Sequence, residues 1–584
     1  MSPAAAGKIR PSQIITTFGP GAIVDLPKLS VIMAGTEEWF IKPGTSIDEP
    51  RLRAALGVEY LYPPPTGKNT DVPSLLFPEY LVCSKCHLLA PASSFAYIRG
   101  EFACNNVSKH RPPRSADAFP ARFLTACTDG HLDDFPWRRY VHGGDTSCTR
   151  DLHLVDSGKT GSLRDIRVRC ACSQSRSMGD AFSPQASHVL GTCRGRRPWL
   201  GKDEQEECRV GRQRTLLRGA SNAYFAVIRS ALWIPRSARE SVEDLVERLK
   251  SNLEQVQTLD DLEAASRFVP ELQGQDLSQI LEVLQQRRQG DVHRTRDHQS
   301  ILREEWDAFQ RLETVSADSA SQFEADEGTV PGRWNRWLHR VVLVRRLKEV
   351  QVLTGFSRID STRDLTDEDS QQVRIQRLSR HRQNWLPAVE LRGEGIFLQF
   401  DEQTLGEWES RPAVIQAAAA MEGAHQSWRS ERGLPPAPFP GARYVLLHGV
   451  AHLLIRQLSL DCGYSSTAIR ERIYSNRGSA ARRAGVLLYT ASPDSDGSLG
   501  GLVDMGTRDR LGSLLTHALE QAAVCSSDPL CADRDLRATG SVNGAACHAC
   551  LLVAETSCER SNRYLDRNLL VPTMHSSDTA YFDL

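Results

Sequence analysis

The chain has 584 residues, 40% of them hydrophobic and 24% charged, with a formal net charge of −1. Such globular composition excludes a disordered polyelectrolyte and suits about three to five domains of roughly 100–200 residues. With so little net charge the chain as a whole is not committed to nucleic acid, and any DNA contact must be a local patch.

The opening MSPAAAGKIRPSQIITTFGPG has no apolar core of about 7–15 residues, and no stretch approaches about 18 uninterrupted apolar residues. Neither a secretory signal nor a membrane span is expected, and the expected compartment is the cytoplasm. Fifteen cysteines, an odd number, argue there against a disulfide framework. Nine lie between Cys83 and Cys208, five between Cys525 and Cys558, and only Cys462 falls outside. Clustered thiols in a reducing compartment point to metal, and zinc is the expected cofactor.

In chain order, residues 1–75 form a Gly/Pro-punctuated N-terminal segment, with short strands expected at 23–26 and 29–33 around a turn. Residues 76–235 read as a cysteine-rich, zinc-ribbon-like domain of short strands and long loops. Residues 236–330 read as a helical insertion, because Leu245, Leu249, Leu253 and Val256 recur on one face. Residues 331–440 mix helix and strand, with a buried strand at 396–400 (IFLQF) and a Pro-rich linker at the end. Residues 441–584 open with an amphipathic helix, ARYVLLHGVAHLLIRQLSL. GYSSTAIRERIY is expected to be helical, GVLLYTA a strand, and LGSLLTHALEQAAV a helix leading into the last cysteines. The fold class is therefore α+β and multi-domain, closing on an α/β domain with a zinc cluster.

Cys547-His-Ala-Cys550 is a C-x2-C pair, which presents two thiolates to one ion from a single turn. Cys558 and one of Cys525 and Cys531 are expected to complete that site. Cys83-Ser-Lys-Cys86 is a second such pair, with Cys104 and Cys127 downstream. Cys170 and Cys172 with Cys193 and Cys208 form another candidate set, which leaves Cys148 over. His448 and His452 share one helix face, but Gly449 stands where a zincin has its catalytic Glu, so a core-facing pair with satisfied ring nitrogens is expected. The DSGKTGS stretch has His153 where a P-loop needs its first Gly, so ATP hydrolysis is not expected. Arg194, Arg196, Arg197, Arg212, Arg214 and Arg218 form a basic patch interleaved with aromatics, suited to phosphates and bases. Arg482 and Arg483, and Arg560, Arg563 and Arg567, form smaller ones.

RPSQIITTFGPGAIVDLP, ACTDGHLDDFPW, RGRRPWLG, RGASNAYF and the ending from LHGVAHLLIRQLSLDCGYSSTAIRERIY to CHACLLVAETSCERSNRYLDRNLL carry a resemblance. Over nearly all of the chain except residues 236–330, it resembles the DrmB proteins of the bacterial anti-phage system DISARM. Its last domain is similar to a C-terminal domain of several DNA-repair helicases that carries cysteine zinc ligands. The resemblance implies a helicase partner resembling DrmA, phage DNA with single-stranded character as ligand, and a cytoplasmic defence role beside a methyltransferase. No catalytic residue comes with it.

The expectation is a non-motor, non-enzymatic subunit that binds DNA together with the helicase and supports its action on phage DNA. Two other readings remain. One is a metal-dependent hydrolase or nuclease using His448, His452, Asp494 and Asp496; the other is a scaffold without DNA contact.

Overall fold

A computed structural model describes residues 8–42, 44–65, 72–98, 100–158, 160–235, 298–312, 322–361, 375–476, 482–491, 501–536 and 540–583, with parts of 245–284. Helix and sheet are mixed throughout, and the chain divides into two compact units built from separated stretches. The first comprises residues 1–48, 58–230 and 351–390; the second comprises 49–57, 231–350 and 391–584.

In the first unit, Ile23–Asp25 and Ser30–Met33 pair antiparallel as the Gly/Pro punctuation predicts, and Ser74–Leu76 adds a third strand. The cysteine-rich stretch forms an eight-stranded antiparallel sheet. Its order is Ser175–Ser177, Ile166–Cys170, Leu152–Asp156, Leu88–Pro91, Tyr80–Cys83, Ala116–Pro120, Glu101–Cys104 and Ala96–Ile98. A separate three-stranded sheet sets Phe123–Ala126 between Leu132–Asp134 and Arg214–Leu217. Most of these strands have only three to five residues, and four of the cysteines sit at or just beyond their ends. Arg358 is fully buried, with no carboxylate partner among the described residues. It donates to the carbonyls of Gly130, Ala223 and Gly21 and lies over the rings of Phe356 and Trp199.

In the second unit, Leu245, Leu249, Leu253 and Val256 are buried together with Leu262, Leu272 and Ile280, so the predicted stripe covers a small core of its own. The main core surrounds the helix Ala442–Cys462. That helix is not amphipathic, because residues 443 to 455 are all buried. A helix apolar all round belongs inside a protein, and its few polar groups, His448 and His452 among them, point into the core. It packs on the strands Ile469–Ser475 and Ala484–Thr490 and on the helix Arg508–Ala523. Ala484–Thr490 also pairs with residues 395–399 of the strand Trp385–Phe400, which contains the predicted IFLQF. No described helix is long and apolar enough to cross a membrane.

Ile469–Ser475 corrects one expectation, since its sequence reads as helix. Charged residues inside a buried strand hid the alternation. Glu471 and Arg472 point to opposite faces, as successive strand residues must, and each is buried against its own partners.

Candidate metal centres and the arginine surface

Among the described residues, five groups of four side chains place one potential ligand atom each within 4.8 Å of the others in the group. A tetrahedral zinc with Zn–S of about 2.3 Å and Zn–N of about 2.0 Å has S–S edges of about 3.8 Å and N–S edges of about 3.5 Å. Those edges are the test of fit.

Cys83 and Cys86 flank the turn after the strand Tyr80–Cys83, Cys104 ends Glu101–Cys104, and His110 follows in a loop. The Cys86 and Cys104 sulfurs are 3.9 Å apart, and Cys83 Sγ lies 3.4 Å from His110 Nε2. His110 Nδ1 donates to the Arg114 carbonyl at 2.6 Å, which leaves the Nε2 lone pair facing the thiols. The Lys85 and Cys86 amides point at Cys83 Sγ and favour a thiolate there. Burial pushes the Cys104 thiol up to about 12, and a bound cation would favour its thiolate.

The second group joins Cys127 and His131, at the two ends of one hairpin turn, to Cys193 and Cys208. Cys127 Sγ is 3.3 Å from His131 Nδ1 and 3.8 Å from Cys208 Sγ, while His131 Nε2 meets Glu206 at 2.9 Å. The third group joins His142, at the end of the helix Trp137–His142, to Cys148, Cys170 and Cys172. Its Cys148–Cys170 and His142–Cys172 edges are 3.6 and 3.3 Å, and His142 Nδ1 donates to the Arg138 carbonyl.

The fourth group is Cys525, Cys531, Cys547 and Cys550, with S–S edges of 3.5, 3.6 and 3.7 Å. Burial raises Cys550 to about 11. Cys547, although burial works against it, falls to about 7 because the Ala549 amide and neighbouring thiols support its charge. The buried Arg567 guanidinium sits beside these sulfurs, bonded to Asp528 at 2.7 Å and to the Ala522 carbonyl. It offsets the excess negative charge of four thiolates on one dication.

Several sequence groupings change. Cys127 does not join Cys83, Cys86 and Cys104, because the hairpin that carries it belongs to a different sheet. Cys170 and Cys172 pair with Cys148, not with Cys193 and Cys208. Cys525 and Cys531 both join the Cys547–Cys550 knuckle, and Cys558 leaves it for a fifth group with His448, His452 and Glu471. The residues missed are His110, His131, His142 and Glu471. Cys-x3-His at 127–131 and the lone histidines after Cys104 and before Cys148 were the available signals, obscured by counting thiols alone. Asp494 and Asp496 lie outside the described residues.

The arginine patch separates into covered and exposed members. Arg197 is 12% exposed and bonded to Glu204 and Glu206. Arg196 is 20% exposed, near Asp133, and Arg218 is 19% exposed, bonded to Asp25. Arg194, 63% exposed, holds Asp133; Arg212 and Arg214 are exposed. Arg194, Arg212, Arg138, Asp133 and Asp134 face one cavity of about 920 Å³. In the smaller patches Arg482 is exposed, Arg483 and Arg567 are buried, and Arg560 and Arg563 lie over the rings of Tyr444 and Trp428.

Residues 10–225 match a domain of unknown function (DUF8724), and residues 450–551 match the MrfA Zn-binding domain. The second match covers all four cysteines of the fourth group and makes zinc the metal of this chain. The chain is similar to the DISARM protein DrmB of Bacillus paralicheniformis, at 36% identity over 570 residues, covering 95% of this chain and 98% of the relative. With agreement along almost the full length of both proteins, the chain belongs to the DrmB family.

Proposed function

We propose that the chain is the non-motor subunit of a DISARM-type anti-phage complex, binding DNA together with a helicase partner resembling DrmA and supporting that partner's action on phage DNA. The observation that carries this reading is the end-to-end similarity to the DISARM protein DrmB, which takes in both compact units. Family membership by itself makes the chain a subunit of an anti-phage defence system. The helicase partnership, the DNA contact, the single-stranded character of that DNA and the cytoplasmic setting are the finer part of the proposal.

Within it, the four thiolate-rich groups hold zinc, each closed by four protein ligands. A closed site leaves no open position for a reacting water, so the metal organises loops rather than doing chemistry. The group of Cys127, His131, Cys193 and Cys208 fixes the loops that carry Arg194 and Arg212, close to Arg214. These three exposed arginines meet DNA phosphates, while Arg196, Arg197 and Arg218 hold that surface together through their carboxylates. The role is non-catalytic, in keeping with a sequence that offers no phosphate-binding loop.

The test measures binding of labelled duplex with a single-stranded overhang by the chain, by the helicase subunit and by both, together with ATP turnover. The complex is expected to bind more tightly than the helicase alone, and the isolated chain to show no turnover. An affinity unchanged by adding this chain would overturn the DNA-binding role and leave the scaffold reading.

A further inference from the structure

We infer that His448, His452, Glu471 and Cys558 hold a fifth metal ion, a zinc in a closed site with mixed nitrogen, oxygen and sulfur ligands, separate from the four-cysteine centre of the same unit. All four side chains are buried, the two histidines and Glu471 to 3% exposure or less. They come from three elements: the helix Ala442–Cys462, the strand Ile469–Ser475 and the loop that follows the last cysteine knuckle.

The spacing fits a tetrahedron. His448 Nε2 lies 3.1 Å from Cys558 Sγ and 3.0 Å from Glu471 Oε1, and His452 Nε2 lies 3.4 Å from Glu471 Oε2. For zinc at about 2.0 Å from nitrogen and oxygen and about 2.3 Å from sulfur, the corresponding edges are about 3.3–3.5 Å.

Hydrogen-bond valence supplies a second, independent observation. His452 Nδ1 donates to the Leu551 carbonyl at 2.9 Å. A neutral imidazole then presents a bare lone pair at Nε2, and that lone pair faces a carboxylate oxygen. Among the described residues, His452 Nε2 and Glu471 Oε2 are buried and face no partner but each other, 3.4 Å apart. Two acceptors directed at each other in a dry interior repel, and buried polar atoms left this way are rare. A cation between them satisfies both.

The remaining groups are arranged as ligands usually are. Cys558 Sγ accepts the Arg560 and Asn562 amides at 3.3 and 3.2 Å, the pattern of a thiolate, and Glu471 Oε1 accepts the Glu559 amide at 3.0 Å. One carboxylate, one thiolate and a dication sum to zero charge, which suits a fully buried site. The donor set favours zinc over harder cations.

The site also constrains the neighbouring centre. Leu551, which orients His452, directly follows Cys550, so one hydrogen bond connects the fifth ligand set to the four-cysteine knuckle. With two histidines, one glutamate and one cysteine closing the tetrahedron, no position is left for a water nucleophile, so the role is structural.

The test is zinc per folded chain, by metal analysis and native mass spectrometry, on the full chain and on Glu471→Gln and Cys558→Ser. Each variant is expected to lose one zinc and to melt at lower temperature. Without a metal, Glu471→Gln would relieve the repulsion, since the new side-chain amide donates to His452 Nε2, and would keep both the zinc count and the stability. That outcome overturns the proposal, as does an unchanged zinc count in folded Cys558→Ser. If neither variant folds, the wild-type chain decides. Five zinc ions support the site, and four or fewer overturn it.

Discussion

Arg194 grips Asp133 through two parallel hydrogen bonds, Nε to Oδ2 and Nη2 to Oδ1, both 2.8 Å long. A guanidinium already matched to a carboxylate in this way has less to offer a phosphate than one facing solvent, so the reach of the patch toward DNA rests most on Arg212 and Arg214. Replacing both with Ala is expected to weaken DNA binding by the complex for all sequences alike. The slope of log affinity against log salt should flatten by about one unit per lost contact. Thermal stability should stay within about 0.5 kcal/mol, as for exposed charges generally. An unchanged salt slope would remove this surface from the DNA interface.

Arg197→Ala should behave in the opposite way. Its side chain is covered and bonded to Glu204 and Glu206, and removing it leaves those carboxylates short of a partner. A loss of about 1–3 kcal/mol of stability is expected on denaturant unfolding, with DNA affinity affected only through folding. Equal stability of the variant would place Arg197 among the free surface charges.

Glu206 touches His131 Nε2 at 2.9 Å while His131 Nδ1 faces Cys127. A carboxylate behind a ligating imidazole sets the ring's orientation and basicity. Glu206→Gln is therefore expected to cut zinc affinity at this one group by about 10–100-fold, read as faster release to a chelator. Release kinetics identical to wild type would mean that His131 is not a ligand.

Asp134 is a half-buried carboxyl that accepts the Glu79 and Tyr80 amides, and desolvation raises it to about 7. Its folded pKa lies above the unfolded one, so its favourable contribution is complete below about pH 4 and is lost as pH rises through 7. Asp134→Asn should remove that dependence. Relative to wild type, the variant should gain stability progressively between about pH 4 and about pH 7, by up to about 1.4 kcal/mol per pH unit, and then level off. Parallel stability curves for the two proteins would show that Asp134 ionises as an ordinary exposed carboxyl does.

Gly449 lies where the helix Ala442–Cys462 comes closest to Leu570, and a Cβ there would stand 2.7 Å from Leu570 Cδ1. Gly449→Ala is expected to destabilise the second unit by about 1–3 kcal/mol through overpacking, measured as a lower melting temperature. A neutral outcome would show that Leu570 yields freely.

The cysteine clusters are legible because thiol spacing is a local property: two cysteines on one turn announce themselves in the sequence. Ligand sharing is not, because it depends on which loops the sheets bring together. His110, His131 and His142 each enter from a loop or helix end that no periodicity marks. The same limit explains the arginines, since their density along the chain shows charge but not the carboxylates of Asp133, Glu204 and Glu206 that absorb it. His448 and His452 do face the core as their helical spacing implies, but their ring nitrogens are not all satisfied there, and the acid they meet lies on a strand that reads as helix. The strands at 23–33 and 396–400 and the helix before Cys525 stand out because turn residues and apolar runs agree with the tertiary environment.

The order in which the chain is made gives its interleaved stretches a further meaning. The candidate ligands of the three groups in the first unit lie between Cys83 and His110, Cys127 and Cys208, and His142 and Cys172, yet that unit also includes residues 351–390. During synthesis, the candidate ligands of those groups therefore emerge before residues 351–390, which complete the unit. The second unit waits longer, since its ligand sets draw on residues from His448 to Cys558. Order of synthesis thus places the candidate metal ligands of the first unit ahead of part of its own body, and those of the second unit near the end of the chain.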